Sequence, residues 1–126
     1  MDTALKKIIE NILAQAKYFL NNTGEFYPFG SILTYEGEIR PVGAYTGEEF
    51  PNSQELLNFL ENAIKDGIKN HHYMRGGIAI DVFLTPHGKE RVNGIEIRLY
   101  EKDLFEKRYY TYEKKAENYF IYEFSE

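Results

Sequence analysis

Between positions 5 and 20 the apolar residues Leu5, Ile8, Ile9, Ile12, Leu13, Ala16, Phe19 and Leu20 recur every three or four positions, with Lys6, Lys7, Glu10, Asn11 and Lys17 between them. That period belongs to a helix with one apolar stripe and a polar back. It predicts a helix over 3–21, opened by Asp2 or Thr3 and closed by Gly24, which tolerates the left-handed conformation of a helix exit. Segments 26–35 and 38–45 are β-favouring and flank Glu36-Gly37, so they predict a hairpin. Pro28 and Pro41 lack an amide donor and are expected near strand ends, bulges or a free edge.

After a loop over 46–51, Asn52 or Ser53 opens a second helix with the stripe Leu56, Leu57, Leu60, Ala63 and Ile64. Glu55 completes a capping box with Asn52. Gly67 is expected to end the helix, with 68–70 as connector and Phe59 covering the flank of the stripe. The remainder predicts antiparallel strands. Segment 78–84 is apolar on both faces but for Asp81, as in a central strand packed by helices. A polar loop follows over 85–94. In 95–101 Ile95, Ile97 and Leu99 face one way, and Glu96, Arg98 and Tyr100 the other. Segments 105–113 and 118–124 complete the set, joined by a turn at 114–117. The predicted fold is α+β: a single domain over 1–126, in the order α-β-β-α-β-β-β-β, with both helices packed on an antiparallel sheet.

Helix, hairpin, helix, then strands is similar to the element order of roadblock and profilin-like domains, which finish with a helix where this chain has the strand-like Tyr119-Phe120-Ile121-Tyr122-Glu123-Phe124. Phe26-Tyr27-Pro28-Phe29-Gly30, Glu36-Gly37-Glu38-Ile39, Ile80-Asp81-Val82 and the run from Gly94 through Glu101 together resemble a family of small uncharacterised bacterial α+β proteins. The resemblance implies a fold and brings no activity with it. In bulk properties the chain is also similar to small acidic immunity and antitoxin-type proteins.

Composition narrows the chemistry. The 126 residues contain no Cys, which removes disulfide scaffolds, thiol catalysis and thiolate metal sites. The 20 acidic residues outnumber the 15 basic ones, for a formal charge of -5, and this disfavours nucleic-acid phosphates as partners. No apolar run is long enough for a membrane helix, so a cytoplasmic protein without a membrane partner is expected. His71, His72, His87, Asp81 and Glu90 lack the convergent spacing of a metal site, and no cofactor is expected. Arg75-Gly76-Gly77 lacks the longer glycine pattern of a phosphate loop and reads as a bulge or the start of a strand. No Ser sits in a nucleophile-elbow context. The pair Glu48-Glu49 reads as a solvated loop before the second helix.

Two features remain. Asp81 breaks an apolar run and needs a hydrogen bond or ion pair, with Arg75 and Arg98 as candidate partners. The last two strands crowd Tyr109, Tyr110, Tyr112, Tyr119, Phe120, Tyr122 and Phe124 onto both faces, more rings than a small core accepts, so some must be exposed. Exposed Tyr suits protein partners or self-association. The sequence therefore reads as a non-enzymatic protein-binding module, immunity-like or a regulatory adaptor. Its candidate binding residues are Tyr110, Tyr112 and Tyr122, and Asp81 and Arg75 are also candidates. The competing reading is a small-molecule binder or small enzyme with a helix–sheet pocket around Asp81 and Arg75.

Overall fold

The computed structural model describes residues 2–44, 47 and 51–124. The order is α1 (Thr3–Thr23), β1 (Phe29–Leu33), β2 (Ile39–Val42), α2 (Ser53–Lys69), β3 (Arg75–Leu84), β4 (Val92–Glu101), β5 (Leu104–Lys115) and β6 (Asn118–Phe124). This is the predicted α+β succession. Tyr45, the last residue of the expected second strand, and Thr46 and Glu48-Glu49-Phe50 of the expected loop lie outside the described residues, as does Ser125.

Local chemistry explains the helix ends. The Asp2 carboxylate accepts the Ala4 amide at 2.8 Å, and Gly24, at φ 79°, returns its amide to the Leu20 carbonyl. Asn52 caps α2 by accepting the Glu55 amide at 3.1 Å. The far end of α2 corrects the sequence reading: the helix runs through Gly67 to Lys69, and His71, at φ 60°, makes the left-handed turn instead. Gly67 is there for space, because a β-carbon would run into the Tyr73 ring, whose hydroxyl donates to the Ala63 carbonyl at 2.8 Å.

All six strands form one antiparallel sheet in the order β2-β1-β3-β4-β5-β6. The α2 segment carries the chain back from the β2 edge across the sheet, so β3 joins β1 on its other side. Pro41 lies in the edge strand β2, where no ladder needs its amide. Strand parity sends α1 to one face and α2 to the other. Ile8, Ile9, Ile12, Ala16 and Leu20 of α1 pack on Phe29, Leu33, Ala79, Ile95, Ile97 and Leu99. Leu57, Leu60, Ile64 and Ile68 of α2 pack on Ile78 and Tyr100.

Burial on both faces of β3 is real but displaced from its predicted position. It covers Gly76 to Ala79, whereas Asp81 and Phe83 are exposed, because β3 runs on past the end of β1 at the Phe29–Ala79 pair. Gly76 and Gly77 begin this strand without a bulge. Their missing side chains let Ile64 approach from one face and Ile8 and Ile12 from the other. The loop expected over 85–94 is shorter, since Val92, Asn93 and Gly94 already pair with Leu84, Phe83 and Val82.

Candidate functional site

Cross-strand pairing places Tyr109 beside Phe124, Thr111 beside Tyr122 and Glu113 beside Phe120. Side chains of paired residues share a face, so Phe120, Tyr122 and Phe124 project together on the α2 side of the sheet. The α2 helix packs over β1, β3 and β4 and leaves that side of β5 and β6 open. Phe120 is consequently 41% exposed and Tyr122 43%, and Phe105, on the same side, is also exposed.

Polar groups frame these rings. Glu113 pairs with Lys115 at 3.2 Å and accepts the Tyr122 hydroxyl on Oε1 at 3.1 Å, and Lys115 first, then Tyr122, hold its carboxyl below the usual value. Lys17 Nζ stands 5.9 Å from the Phe120 ring centroid. Along the inner margin, the Tyr109 hydroxyl donates to Glu96 Oε1 at 3.1 Å, Arg98 Nε to Glu96 Oε2 at 2.7 Å, and the Tyr100 hydroxyl to Glu61 Oε2 at 2.5 Å. This chain of charge-assisted bonds ties α2 to β4 and β5. Donation from Tyr100 pulls the Glu61 carboxyl down, while burial first, and Glu61 second, push the Tyr100 phenol up. An apolar ring cluster inside a polar rim is the anatomy of a protein-contact surface.

The sequence-derived binding residues divide. Tyr122 lies in the exposed cluster. Tyr110 and Tyr112 do not: at 8% and 7% exposed they are core residues beneath α1. Tyr110 pairs with the buried Ile95, and that register turns Tyr110 and Tyr112 inward and Tyr109 outward. Arg75 is paired with Asp2 at 2.9 Å and Glu101 at 2.8 Å, clamping the start of α1 to β3 and β4 and holding the Asp2 carboxyl low.

Asp81 pairs with neither Arg75 nor Arg98; it accepts the Tyr112 hydroxyl at 2.8 Å. The residue is exposed as a whole, yet protein atoms crowd its carboxyl. That desolvation raises its pKa, the Tyr112 bond opposes the rise, and Glu25 adds to it. Six residues of extended strand separate Arg75 from Asp81, roughly 20 Å at the usual rise. The two residues line different hollows: one is lined by Arg75 with Leu5, Tyr100 and Phe105, another by Asp81 with Glu25, Tyr27 and Tyr112. Among the described residues no three His, Asp or Glu side chains converge on a possible metal position.

Two polar groupings escaped the sequence reading. One is the Glu61–Arg98–Glu96 chain, whose members come from separate elements and have no local signature. The other joins Asn11, Gln15 and the fully buried Ser31: Gln15 Nε2 donates to Asn11 Oδ1 at 2.8 Å and to Ser31 Oγ at 2.9 Å, and the Ser31 hydroxyl donates to Asn11. The four-residue spacing of Asn11 and Gln15 beside the apolar stripe is the signal that could have revealed it. Comparison of the chain with protein families, with curated proteins and with solved structures finds no match.

Proposed function

We propose that the protein is a non-enzymatic binding module that engages another protein through the uncovered face of β5 and β6, as a regulatory adaptor or immunity-type protein would. The observation that carries this reading is the alignment of Phe120, Tyr122 and Phe124 on a sheet face that α2 does not cover. Burial of such rings is the main favourable term in association, and Tyr is a frequent anchor because its ring is rigid and its hydroxyl keeps a polar partner. Glu113 and Lys115 supply the polar rim.

A nucleic-acid strand is the disfavoured occupant, because Glu96 and Glu113 stand among the rings it would have to stack on. The absence of Cys fits a reducing compartment such as the cytoplasm, which belongs to the same proposal. No helix among the described residues is long and apolar enough to cross a membrane.

A photo-crosslinking amino acid at position 122, in the protein expressed in its source cell, tests the reading against the same group at Glu36, in the remote β1–β2 turn. Crosslinks to a defined protein from position 122 and none from position 36 are expected. Absence of crosslinks from 122, or equal labelling from both positions, would overturn it.

A further inference from the structure

The two edges of the sheet differ in what they offer another strand. At one edge β2 has only four residues, and one of them, Pro41, has no amide to donate. At the other edge β6 has seven residues and follows the two-residue turn Ala116-Glu117, across which Lys115 pairs with Asn118. A turn of that length makes Lys115 and Asn118 a hydrogen-bonded pair. The alternate residues Tyr119, Ile121 and Glu123 then turn their amides and carbonyls outward. The Tyr119 amide confirms this phase, since it donates at 3.0 Å to Asn21 Oδ1 of α1 and not to β5. The outward groups of Ile121 and Glu123 meet no partner among the described residues.

We propose that β6 pairs antiparallel with β6 of a second copy of this chain, with Ile121 of each copy opposite Glu123 of the other. The proposal rests on the protein-binding reading above, in which β5 and β6 form a contact surface, and adds self-association through the β6 edge.

The register follows from the free groups. Asn21 already occupies the Tyr119 amide, so the match must use Ile121 and Glu123 alone. A two-fold axis through Tyr122 does this: each Ile121–Glu123 pair exchanges both of its amide–carbonyl bonds, and the Asn21 contact survives. The same axis sets Tyr122 against Tyr122 and Phe120 against Phe124. The exposed ring clusters of the two copies thereby join into one, and cross-strand aromatic pairs add to the stability of such a ladder. A closed two-fold interface uses one patch twice and leaves no free end to propagate.

Charge selects this occupant over an arbitrary strand. Lys17 stands beside the Phe120 ring, and neither Lys17 nor Glu123 has an ion pair among the described residues. Glu123, like Ile121, projects on the α1 side of the sheet. Antiparallel pairing brings Glu123 of one copy opposite Ile121 of the other, on the α1 side of the sheet, from which Lys17 of α1 reaches over the β6 edge to the Phe120 ring. A lone Lys at a strand edge discourages unselected pairing. Facing a Glu it becomes a complement.

Sedimentation of the intact protein over micromolar to high-micromolar concentrations is expected to show a reversible dimer. Glu123→Pro removes an outward amide without breaking a bond to β5. It is expected to weaken the dimer about tenfold or more, because the symmetry deletes each lost bond twice. Lys17→Glu and Glu123→Lys should each weaken dimerisation, and together restore most of it. Exchange of the Ile121 amide should slow as concentration rises. Circular dichroism checks that each variant is folded, and the charge exchange decides the matter should Glu123→Pro not fold. A chain that stays monomeric, or a dimer indifferent to the charge exchange, overturns the proposal. Monomers that still crosslink from position 122 to a different protein would remove self-pairing and leave the broader binding function standing. No crosslink of any kind would remove both.

Discussion

Ile64 of α2 lies so close to Gly76 of β3 that a β-carbon on the glycine would stand 2.7 Å from its Cγ2. One residue later the opposite face is just as tight, with a β-carbon on Gly77 reaching 2.8 Å from Ile12 Cδ1 of α1. The paired glycines let two helices approach one strand from both sides. Gly76→Ala and Gly77→Ala should each destabilise by about 1–3 kcal/mol through overpacking, because the obstructing atoms are side-chain methyl groups of Ile64, Ile12 and Ile8. Gly30→Ala should cost more, since its β-carbon would meet the Gly77 carbonyl oxygen at 2.5 Å, and backbone cannot step aside. Chemical denaturation of the three variants gives the order; equal costs would contradict the packing described.

The tyrosines of the last hairpin should separate into core and surface. Tyr112→Ser empties a buried site under α1 and is expected to cost about 3–5 kcal/mol, the range for truncating a large buried ring. Tyr122→Ser is expected to change stability by less than ~1 kcal/mol, since it loses an exposed ring and one exposed hydrogen bond to Glu113. Thermal unfolding of the two variants side by side measures the contrast.

The Asp81 carboxyl has its pKa raised by desolvation in the folded chain. The folded state therefore holds this proton more tightly than the unfolded state, and its contribution to stability is present below the unfolded pKa and lost as pH rises through the folded one. Asp81→Asn keeps an oxygen to accept the Tyr112 hydroxyl and removes the charge. It should raise stability at neutral pH relative to the parent chain and abolish that part of the loss between acid and neutral pH. Glu61 has the opposite sign: donation from Tyr100 lowers its pKa, so its stabilisation is present above the ordinary glutamate value and fades as pH falls through the folded one. Denaturation midpoints across pH, compared for Asp81→Asn and Glu61→Gln, should therefore diverge in opposite directions.

Ala116 sits at φ 55° in the β5–β6 turn, a conformation that costs a side-chain-bearing residue roughly 1 kcal/mol and glycine almost nothing. Ala116→Gly is expected to stabilise the hairpin by up to about 1 kcal/mol. If the crossing to a second copy forms at β6, the same substitution should leave the dimer constant unchanged, because it lies outside the paired residues. Unfolding and sedimentation measured on one preparation check both.

Element order and class were legible in the chain because they follow from local periodicity: the three- and four-residue stripe from Ile8 to Leu20, the alternation from Ile95 to Leu99, and the turn at Glu36-Gly37. The caps at Asp2, Asn52 and Gly24 were legible for the same reason, each acting within its own helix turn. The end of α2 was not, because Gly67 answers to the distant ring of Tyr73 and not to the conformation of its own backbone. The partner of Asp81 was equally hidden: Tyr112 comes from β5, and opposite charge wrongly favoured Arg75 and Arg98.

Which tyrosines face outward was decided only in three dimensions. In Tyr109-Tyr110-Thr111-Tyr112 both parities carry aromatic rings, so hydrophobicity along the strand cannot choose the buried side. The pairing of Tyr110 with Ile95 chooses it, turning Tyr110 and Tyr112 under α1 and sending Tyr109, Tyr122 and their neighbours to the face of β5 and β6 that α2 leaves uncovered. Sequence alone determined that surplus rings must be exposed somewhere; strand register and helix placement determined which ones, because a shift of one residue exchanges every side chain between core and solvent.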